Sequence, residues 1–497
     1  MHKLSFREAE RPFAMGYEWF RHCSYCHRGI FDDVLAPRFV TGLGAALLGR
    51  DRGARAPAAP LRALRLAFDE PGFQGGDARE AVDAWLSYAA YHASDALQLE
   101  LRLDAAGPVC GRQYALLPRG LDADDSGGDD DEDGGEDEDQ SMPMDNAEAS
   151  SPAAVAAAEP CPEPTAYVTP RSLFSCAATL RSLRLGGCWL DLPPSAFSLP
   201  SLDTLHLTRV TGRRGAVQRL VAACPRLADL TLEACGDLTE LSVHHARLRR
   251  LALRCCHDLA AVAADSSELR AFEYHGAVPA PSFLTLHGGG GACRIASCKL
   301  DFCGAEATGP PKLARLADFL LLFAGAERLH LTSARLGCGG APAFPALRHL
   351  ELTGMLPDDD ATDAVATVTA ILERTPSLET LTLFFLPEPE DLAESEYLDA
   401  DEEELLDGHK LRYDRHAPLA VPDAVIPCLR ERTREINLVH YEGGLAQRTL
   451  AKFLLRNAPA VGEVCGEFAQ GPLWIQTRLM EEIKGWVLNK SANMMFF

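Results

Sequence analysis

The residues best suited to chemistry stand near the start of the chain, in His22-Cys23-Ser24-Tyr25-Cys26-His27. Cys-x-x-Cys flanked by histidines carries the thiolate and imidazole donors that zinc prefers. One such pair supplies half a tetrahedral site, however, and no second pair follows at finger or ribbon spacing. Adjacent His and Cys side chains also cannot all converge on one ion. Gly288-Gly289-Gly290-Gly291 has the freedom of a phosphate-cradling loop, but Ala292-Cys293-Arg294 lacks the Lys-Ser/Thr that such a loop needs at a helix start. An inter-repeat turn is the expectation there. His244, His245, His257, His275 and His287 lie close in sequence and could line one ladder; scattered solvated or core histidines are the ordinary alternative. No Ser/His/Asp or Cys/His set stands out as a nucleophile with its base. The reading is a non-enzymatic chain, with no catalytic residue, no metal site and no cofactor.

A different pattern organises the chain. Leu-x-x-Leu-x-Leu stands at Leu180-Leu183-Leu185, Leu202-Leu205-Leu207, Leu227-Leu230-Leu232, Leu347-Leu350-Leu352 and Leu378-Leu381-Leu383, with looser copies from Leu61 onward. Self-similarity of this kind predicts an α/β leucine-rich repeat solenoid with irregular repeats. In each unit L-x-L is a short strand, and no unit can bury its apolar face alone, so neighbours must stack. The central residues are 22 and 25 apart from Leu183 through Leu205 to Leu230, then only 11 and 10 apart through Leu241 to Leu251. Long units have room for a strand and a helix. The short ones predict successive strands with tight returns, and little or no helix over 238–274.

Composition bounds the rest. The formal charge is -23 over 497 residues, and hydrophobic residues make up 47%. Residues 122–139 hold twelve acidic residues and 388–407 hold eleven, with no Lys or Arg in either run. Outside those two runs the charges balance. Without a basic excess to neutralise phosphates, nucleic acid is not an expected partner. The N-terminal residues lack the apolar run of a signal peptide, and Leu316–Ala326, the longest compact apolar stretch, is too short to span a bilayer. Many of the sixteen cysteines follow the repeat register, as at Cys188, Cys224, Cys235, Cys255 and Cys256, where a small apolar residue suits an inward position. A reduced chain in the cytoplasm and/or nucleus, without membrane contact, is the expectation.

These signals divide the chain into an unassigned 1–30, first repeats in 31–117, an acidic insertion at 118–165, the main repeats at 166–386, an acidic loop at 387–410 and a C-terminal module at 411–497. The insertions cannot bury enough apolar surface to offset ordering and are expected to be disordered. Helices are expected at 78–91 and 363–374, and Trp474 and Trp486 read as buried anchors of a C-terminal helix.

The stretch Cys224-Pro225-Arg226-Leu227 leading into Leu230 and Leu232 resembles plant F-box/leucine-rich-repeat proteins. Arg38-Phe39-Val40-Thr41-Gly42-Leu43, followed by Ala59-Pro60-Leu61-Arg62-Ala63-Leu64-Arg65-Leu66, is similar to the segment after the F-box in grass members. Ile436-Asn437-Leu438-Val439 through Lys452-Phe453-Leu454-Leu455-Arg456-Asn457-Ala458-Pro459 resembles the FBD module. The resemblance implies a substrate receptor of a cullin-based ubiquitin ligase. Its partners would be a protein substrate and the ligase's adaptor and cullin. No Leu-Pro pair opens an F-box ahead of Phe31, so the F-box is expected to be absent or truncated, with Tyr17-Glu18-Trp19-Phe20-Arg21 either a remnant of its last helix or unrelated sequence. The alternative is a stand-alone repeat scaffold without ligase linkage. In either case the partner-binding candidates are residues flanking the inward leucines: Arg181, Arg184, Asp203, His206, Asp229, Thr231, Arg249, Arg250, Arg348, His349, Glu379 and Thr380.

Overall fold

The computed structural model describes residues 3–7, 43–45, 47, 60–67, 76–103, 167–176, 178–288, 295–304, 307, 309–358, 361–386, 411, 413 and 417–497. The runs at 17–21 and 22–27, the tetraglycine beyond Gly288 and both acidic runs lie outside them. The strands, in chain order, begin with β1 (Lys3–Arg7), β2 (Leu61–Ala67), β3 (Ala93–Arg102), β4 (Tyr167–Val168), β5 (Leu180–Gly186), β6 (Cys188–Leu190), β7 (Thr204–Thr208) and β8 (Thr211–Gly212). They continue with β9 (Asp229–Glu233), β10 (Glu240–Val243), β11 (Arg250–Arg254), β12 (Ala261–Asp265), β13 (Ala271–Gly276), β14 (Leu284–His287) and β15 (Ser297–Phe302). The last are β16 (Arg328–Arg335), β17 (His349–Met355), β18 (Thr380–Leu386), β19 (Glu435–Tyr441), β20 (Glu463–Phe468) and β21 (Asn493–Phe496). The helices are α1 (Gly76–Tyr91), α2 (Ala216–Ala222), α3 (Pro310–Leu321), α4 (Ala361–Leu372), α5 (Pro427–Glu431), α6 (Leu445–Asn457) and α7 (Leu473–Trp486).

The fold is α/β. Fifteen parallel strands form one sheet in the order β1-β2-β3-β5-β7-β9-β11-β13-β15-β16-β17-β18-β19-β20-β21, so the chain adds strands in one direction. Period-two alternation sets what each strand buries. Leu183, Leu205, Leu230, Leu251, Phe272, Leu350 and Leu381 stand in one inward row, and Leu185, Leu207, Leu232, Leu253, Tyr274, Leu352 and Leu383 in the next. Nearly all are fully buried in one continuous core. A single strand would leave these side chains half wet; the strands on either side complete the layer.

The short spacing over 238–274 has a different origin from the one expected. Leu230, Leu251 and Phe272 are the main-sheet positions, 21 residues apart, while Leu241 and Val262 belong to β10 and β12. Those strands form a second parallel sheet, β10-β12-β14, so consecutive leucine motifs alternate between two sheets. Both motifs in a unit share the same apolar spacing, so sequence alone does not say which sheet each joins. Among the described residues no helix falls between Ala222 and Pro310. Aromatics from α3 and just beyond it reach back onto this stretch: Phe272 stacks on Phe323 at 5.1 Å between ring centroids, and Tyr274 meets Phe319 of α3 at 5.5 Å and Phe283 at 5.4 Å. The exposed edge of β10 is closed by Gln218 of α2. Its side-chain amide donates to the Ser242 carbonyl and accepts from the Ser242 N–H, both at 2.9 Å.

The corner after β5, β7, β9 and β11 repeats too. Gly187, Arg209, Ala234 and Cys255 all take left-handed backbone conformations, with φ of 64°, 49°, 51° and 52°. There the N–H of Ala234 donates to the Arg254 carbonyl at 2.8 Å and that of Arg209 to the Glu233 carbonyl at 2.8 Å. The left-handed residue carries the ladder one bond beyond the strand before the chain turns down toward the second layer.

The C-terminal segment does not break the series. β19 pairs with β18 in parallel register, Leu381 opposite Ile436 and Leu383 opposite Leu438. It is locked to the preceding units by α6, whose Ala446 N–H donates to the Asp358 carboxylate at 3.0 Å; an anion at a helix N-terminus is favoured by the exposed N–H groups there. Arg448, buried, makes two hydrogen bonds to Glu482 of α7 at 3.0 and 2.8 Å, and its guanidinium lies 4.8 Å from the Tyr413 ring centroid. Trp486 is buried as expected of an anchor, but Trp474 is 65% exposed. The first turn of α7 projects past the core, so its apolar residues Leu473 and Trp474 meet no layer. No helix among the described residues is long and apolar enough to cross a membrane.

Two substitutions test this packing. Leu230→Ala, at a site with no exposure, should cost about 3 kcal/mol or more in urea denaturation, through lost transfer energy and the cavity left behind. The buried Tyr441 hydroxyl has no hydrogen-bond partner among the described residues, so Tyr441→Phe should leave stability unchanged or raise it by up to about 1 kcal/mol.

Candidate functional site

Each main-sheet strand has three outward positions, one before, one between and one after its two inward residues. Parallel register aligns them into rows. The first row runs Thr204, Asp229, Arg250, Ala271, Ser297, Arg328, His349, Thr380. The second runs Arg184, His206, Thr231, Ala252, Glu273, Lys299, His330, Glu351. The third runs Thr208, Glu233, Arg254, His275, Asp301, Thr332, Thr353, Phe384.

The twelve candidates fall on this face, but not in one row. Asp229, Arg250, His349 and Thr380 belong to the first row; Arg184, His206 and Thr231 to the second. Arg181, Asp203, Arg249, Arg348 and Glu379 sit one residue earlier, at the sheet margin. There the Arg249 carbonyl accepts from the N–H groups of both Arg270 and Ala271, at 2.9 and 3.0 Å. The Arg348 carbonyl takes Glu379 and Thr380 in the same way, at 2.8 and 2.9 Å. Many candidates already have partners in the next repeat. Arg181 and Asp203 are 3.9 Å apart, Arg348 and Glu379 3.1 Å, and Arg250 lies 3.0 Å from Glu273. Thr380 donates to Glu435 at 3.2 Å, and Arg249 pairs with Glu268 at 3.8 Å.

The centre of the face is a charge network that the motif pattern had not singled out. Glu233 lies 3.5 Å from His206 and 3.9 Å from Arg254; Arg254 in turn holds Glu273 at 2.8 Å. His275 meets Asp301 at 3.6 Å, and His330 meets Glu351 at 3.4 Å. Its strongest members were missed for two reasons. Glu233, Arg254, His275 and Asp301 stand after the second inward residue, outside the Leu-x-Leu window. Glu273 and Lys299 lie in strands whose leucines are replaced by Phe272, Tyr274 and Cys298. Carrying the two-residue period one step past each motif would have found the first group. His287 ends β14 of the small sheet and His244 directly follows β10, their ring centroids 6.3 Å apart, so the five clustered histidines do not share one ladder.

Burial and charge tune these groups in different directions. Burial alone would raise Glu273, but Arg254, Lys299 and Arg250 outweigh it and hold the carboxyl below its ordinary range. Burial raises Glu351, with Lys299 opposing only in part. Burial, with Lys299 adding to it, lowers His330 to about 4, so its imidazole is neutral near pH 7. The neutral ring shares hydrogen bonds with the hydroxyls of Thr332 and Thr353, at 3.1 and 3.2 Å. Among the described residues no group of three or more ligating side chains is placed to hold a metal. Most of the described cysteines are buried among the repeat layers. Cys224 and Cys338 are buried thiols that desolvation pushes up to about 12, far from a reactive thiolate.

The His330 shift has a definite sign. The unfolded imidazole takes its proton near pH 6.5, the folded one only near 4, so stability is lost as pH falls through that interval. Glu351, raised on folding, has the opposite sign, and its effect lies above the ordinary carboxylate range. His330→Gln should therefore reduce the stability lost between pH 7 and pH 5 by about 1 to 2 kcal/mol, measured by urea denaturation at each pH.

Comparison with known proteins places this face in a context. Residues 156–281 match the family described as FBD-associated F-box protein At5g56370, LRR repeats. The chain is 34% identical over 104 residues to the probable FBD-associated F-box protein At1g32375 of Arabidopsis thaliana, covering 20% of this chain and 24% of that protein. It is 46% identical over 65 residues to the putative F-box/FBD/LRR-repeat protein At5g62970 of the same plant, covering 13% and 14%. It is 38% identical over 89 residues to the F-box protein At4g09920, covering 17% and 28%. The matched stretches thus span under a third of each relative. Within those limits, the chain is similar to plant F-box proteins that carry leucine-rich repeats and an FBD.

Proposed function

We infer that this chain is a non-enzymatic recognition subunit that binds a protein on the outward face of its main sheet. In this reading the units coil as a leucine-rich repeat solenoid, the sheet lines the concave side, and 411–497 is an FBD-like module continuing the stack. The observation that carries it is the face itself: successive rungs locked in register present charged and hydroxyl side chains from adjacent repeats on one rigid platform. Such a platform suits recognition of an extended or folded partner surface. The similarity to F-box proteins supports the finer reading, a substrate receptor of a cullin-based ubiquitin ligase in the cytoplasm and/or nucleus.

Two measurements separate the levels of this reading. Co-expressed ligase adaptor and cullin should co-elute with the chain from size-exclusion chromatography. If they do not, and grafting a family F-box restores co-elution, the chain acts as a stand-alone binding protein. Substituting Arg184, His206, Thr231, Arg250 and His349 together by Ala should abolish capture of a crosslinked protein partner identified by mass spectrometry. Retention of every such partner would sink the face as the binding surface.

A further inference from the structure

Around β13, β15 and β16 small side chains lie among larger charged ones, a patch called the basin below. Its floor is made of small residues: Ala271 and Ser297, adjacent in the first row, and Ala296, whose N–H donates to the Arg270 carbonyl at 2.9 Å. Four cations surround that floor. Arg250 neighbours Ala271 in the register, Arg328 neighbours Ser297, Arg270 immediately precedes Ala271, and Lys299 lies two residues beyond Ser297 on the same side of the strand. With neighbouring strands about 4.8 Å apart, Arg270 and Arg328 frame the basin at roughly 10 Å between Cα atoms.

These cations are not equally occupied. Arg250 is committed to Glu273 at 3.0 Å. Arg270 and Arg328 are exposed and make no ion pair among the described residues, and Lys299 is half-buried with no carboxylate within ion-pair distance. The bordering acids are Glu273, already held by Arg250 and Arg254, Glu327, exposed beside Arg328, and Glu351, which lies beyond His330 and feels the charge of Lys299. Over much of the face charges pair between repeats, as Arg254 does with Glu273 and Arg348 with Glu379; here two guanidiniums and an ammonium surround one hydroxyl and two alanine side chains. In a chain of net charge -23 this is a local reversal of sign.

We propose that this basin receives an acidic segment of the partner protein, with carboxylates on Arg270 and Arg328 and the chain of the segment lying over Ala271, Ala296 and Ser297. The inference rests on the reading of the sheet face as a protein-binding surface and adds the partner's chemistry. Guanidinium forks suit carboxylates, and the small floor residues allow a peptide backbone to approach closely. A long polyanion such as RNA would run past the basin onto the carboxylates of Glu233, Glu273 and Glu351 on the same face, whereas a short acidic segment engages the basin alone.

The test uses the full chain and a fluorescein-labelled alternating Glu-Gly decapeptide, read by fluorescence anisotropy. Saturable binding that weakens with added salt is expected. The Arg270→Gln/Arg328→Gln double variant should lose about tenfold in affinity. Arg226→Gln/Arg432→Gln removes the same charge at exposed positions off the face and should bind as the parent does. Absence of saturable binding, equal loss in both double variants, or tighter binding of poly-uridine RNA through the same arginines would each overturn the acidic-segment assignment. If that assignment fails while the five-residue face variant still loses its crosslinked partner, the protein-binding face stands. If neither variant matters, both readings fall.

Discussion

Every feature of this molecule depends on a layer of apolar side chains that no single repeat can close. A strand such as β9 buries Leu230 and Leu232 completely, yet their cover comes from Leu205 and Leu207 on one side and Leu251 and Leu253 on the other. At about 25 cal/mol per Å² of apolar surface, each layer is worth several kcal/mol only when both neighbours are present. Stability therefore propagates along the stack, and so does register. A slip of one residue would send the leucines out and the charges in, which the continuous core forbids.

That constraint also shapes the outward face of the sheet. Because inward positions are held to leucine and its equivalents, all freedom to vary falls on the outward rows and on the margin before them. The rows bring together residues more than 20 positions apart in sequence, as in Arg250 with Glu273, 23 apart, or His206 with Glu233, 27 apart. Side chains held this way lose little further entropy on meeting a partner, an advantage that loops of the same composition lack. Charge pairs between neighbouring rungs hold most of the face in a fixed pattern. A neutral His330 and the arginines near Ser297, which make no ion pair among the described residues, depart from that pattern.

The same layer explains how the C-terminal segment stays part of the stack. β19 presents Ile436 and Leu438 in register with Leu381 and Leu383, and the Asp358 carboxylate on the α6 N-terminus fixes its angle. Buried Arg448, paired with Glu482 and covered by Tyr413, adds a polar bolt between α6 and α7. Such a pair contributes geometry more than net energy, since desolvating it offsets much of its Coulomb attraction.

Much of this was legible in the residues. The inward leucines, the α/β class, α1 from its buried Val82, Trp85, Leu86 and Ala89, and α4 ahead of Pro376 follow from period and punctuation, which are local properties. The assignment of Leu241 and Val262 to a second sheet was not legible, because both sheets demand the same spacing and only three-dimensional stacking separates them. Nor was Trp474, whose helical position looks apolar while the first turn of α7 runs past the core. On the face, sequence located the flanking positions of each motif. Tertiary structure decided which of them meet, and added Glu233, Arg254, Glu273 and Lys299, because ion pairing between repeats depends on strand register rather than on neighbours along the chain.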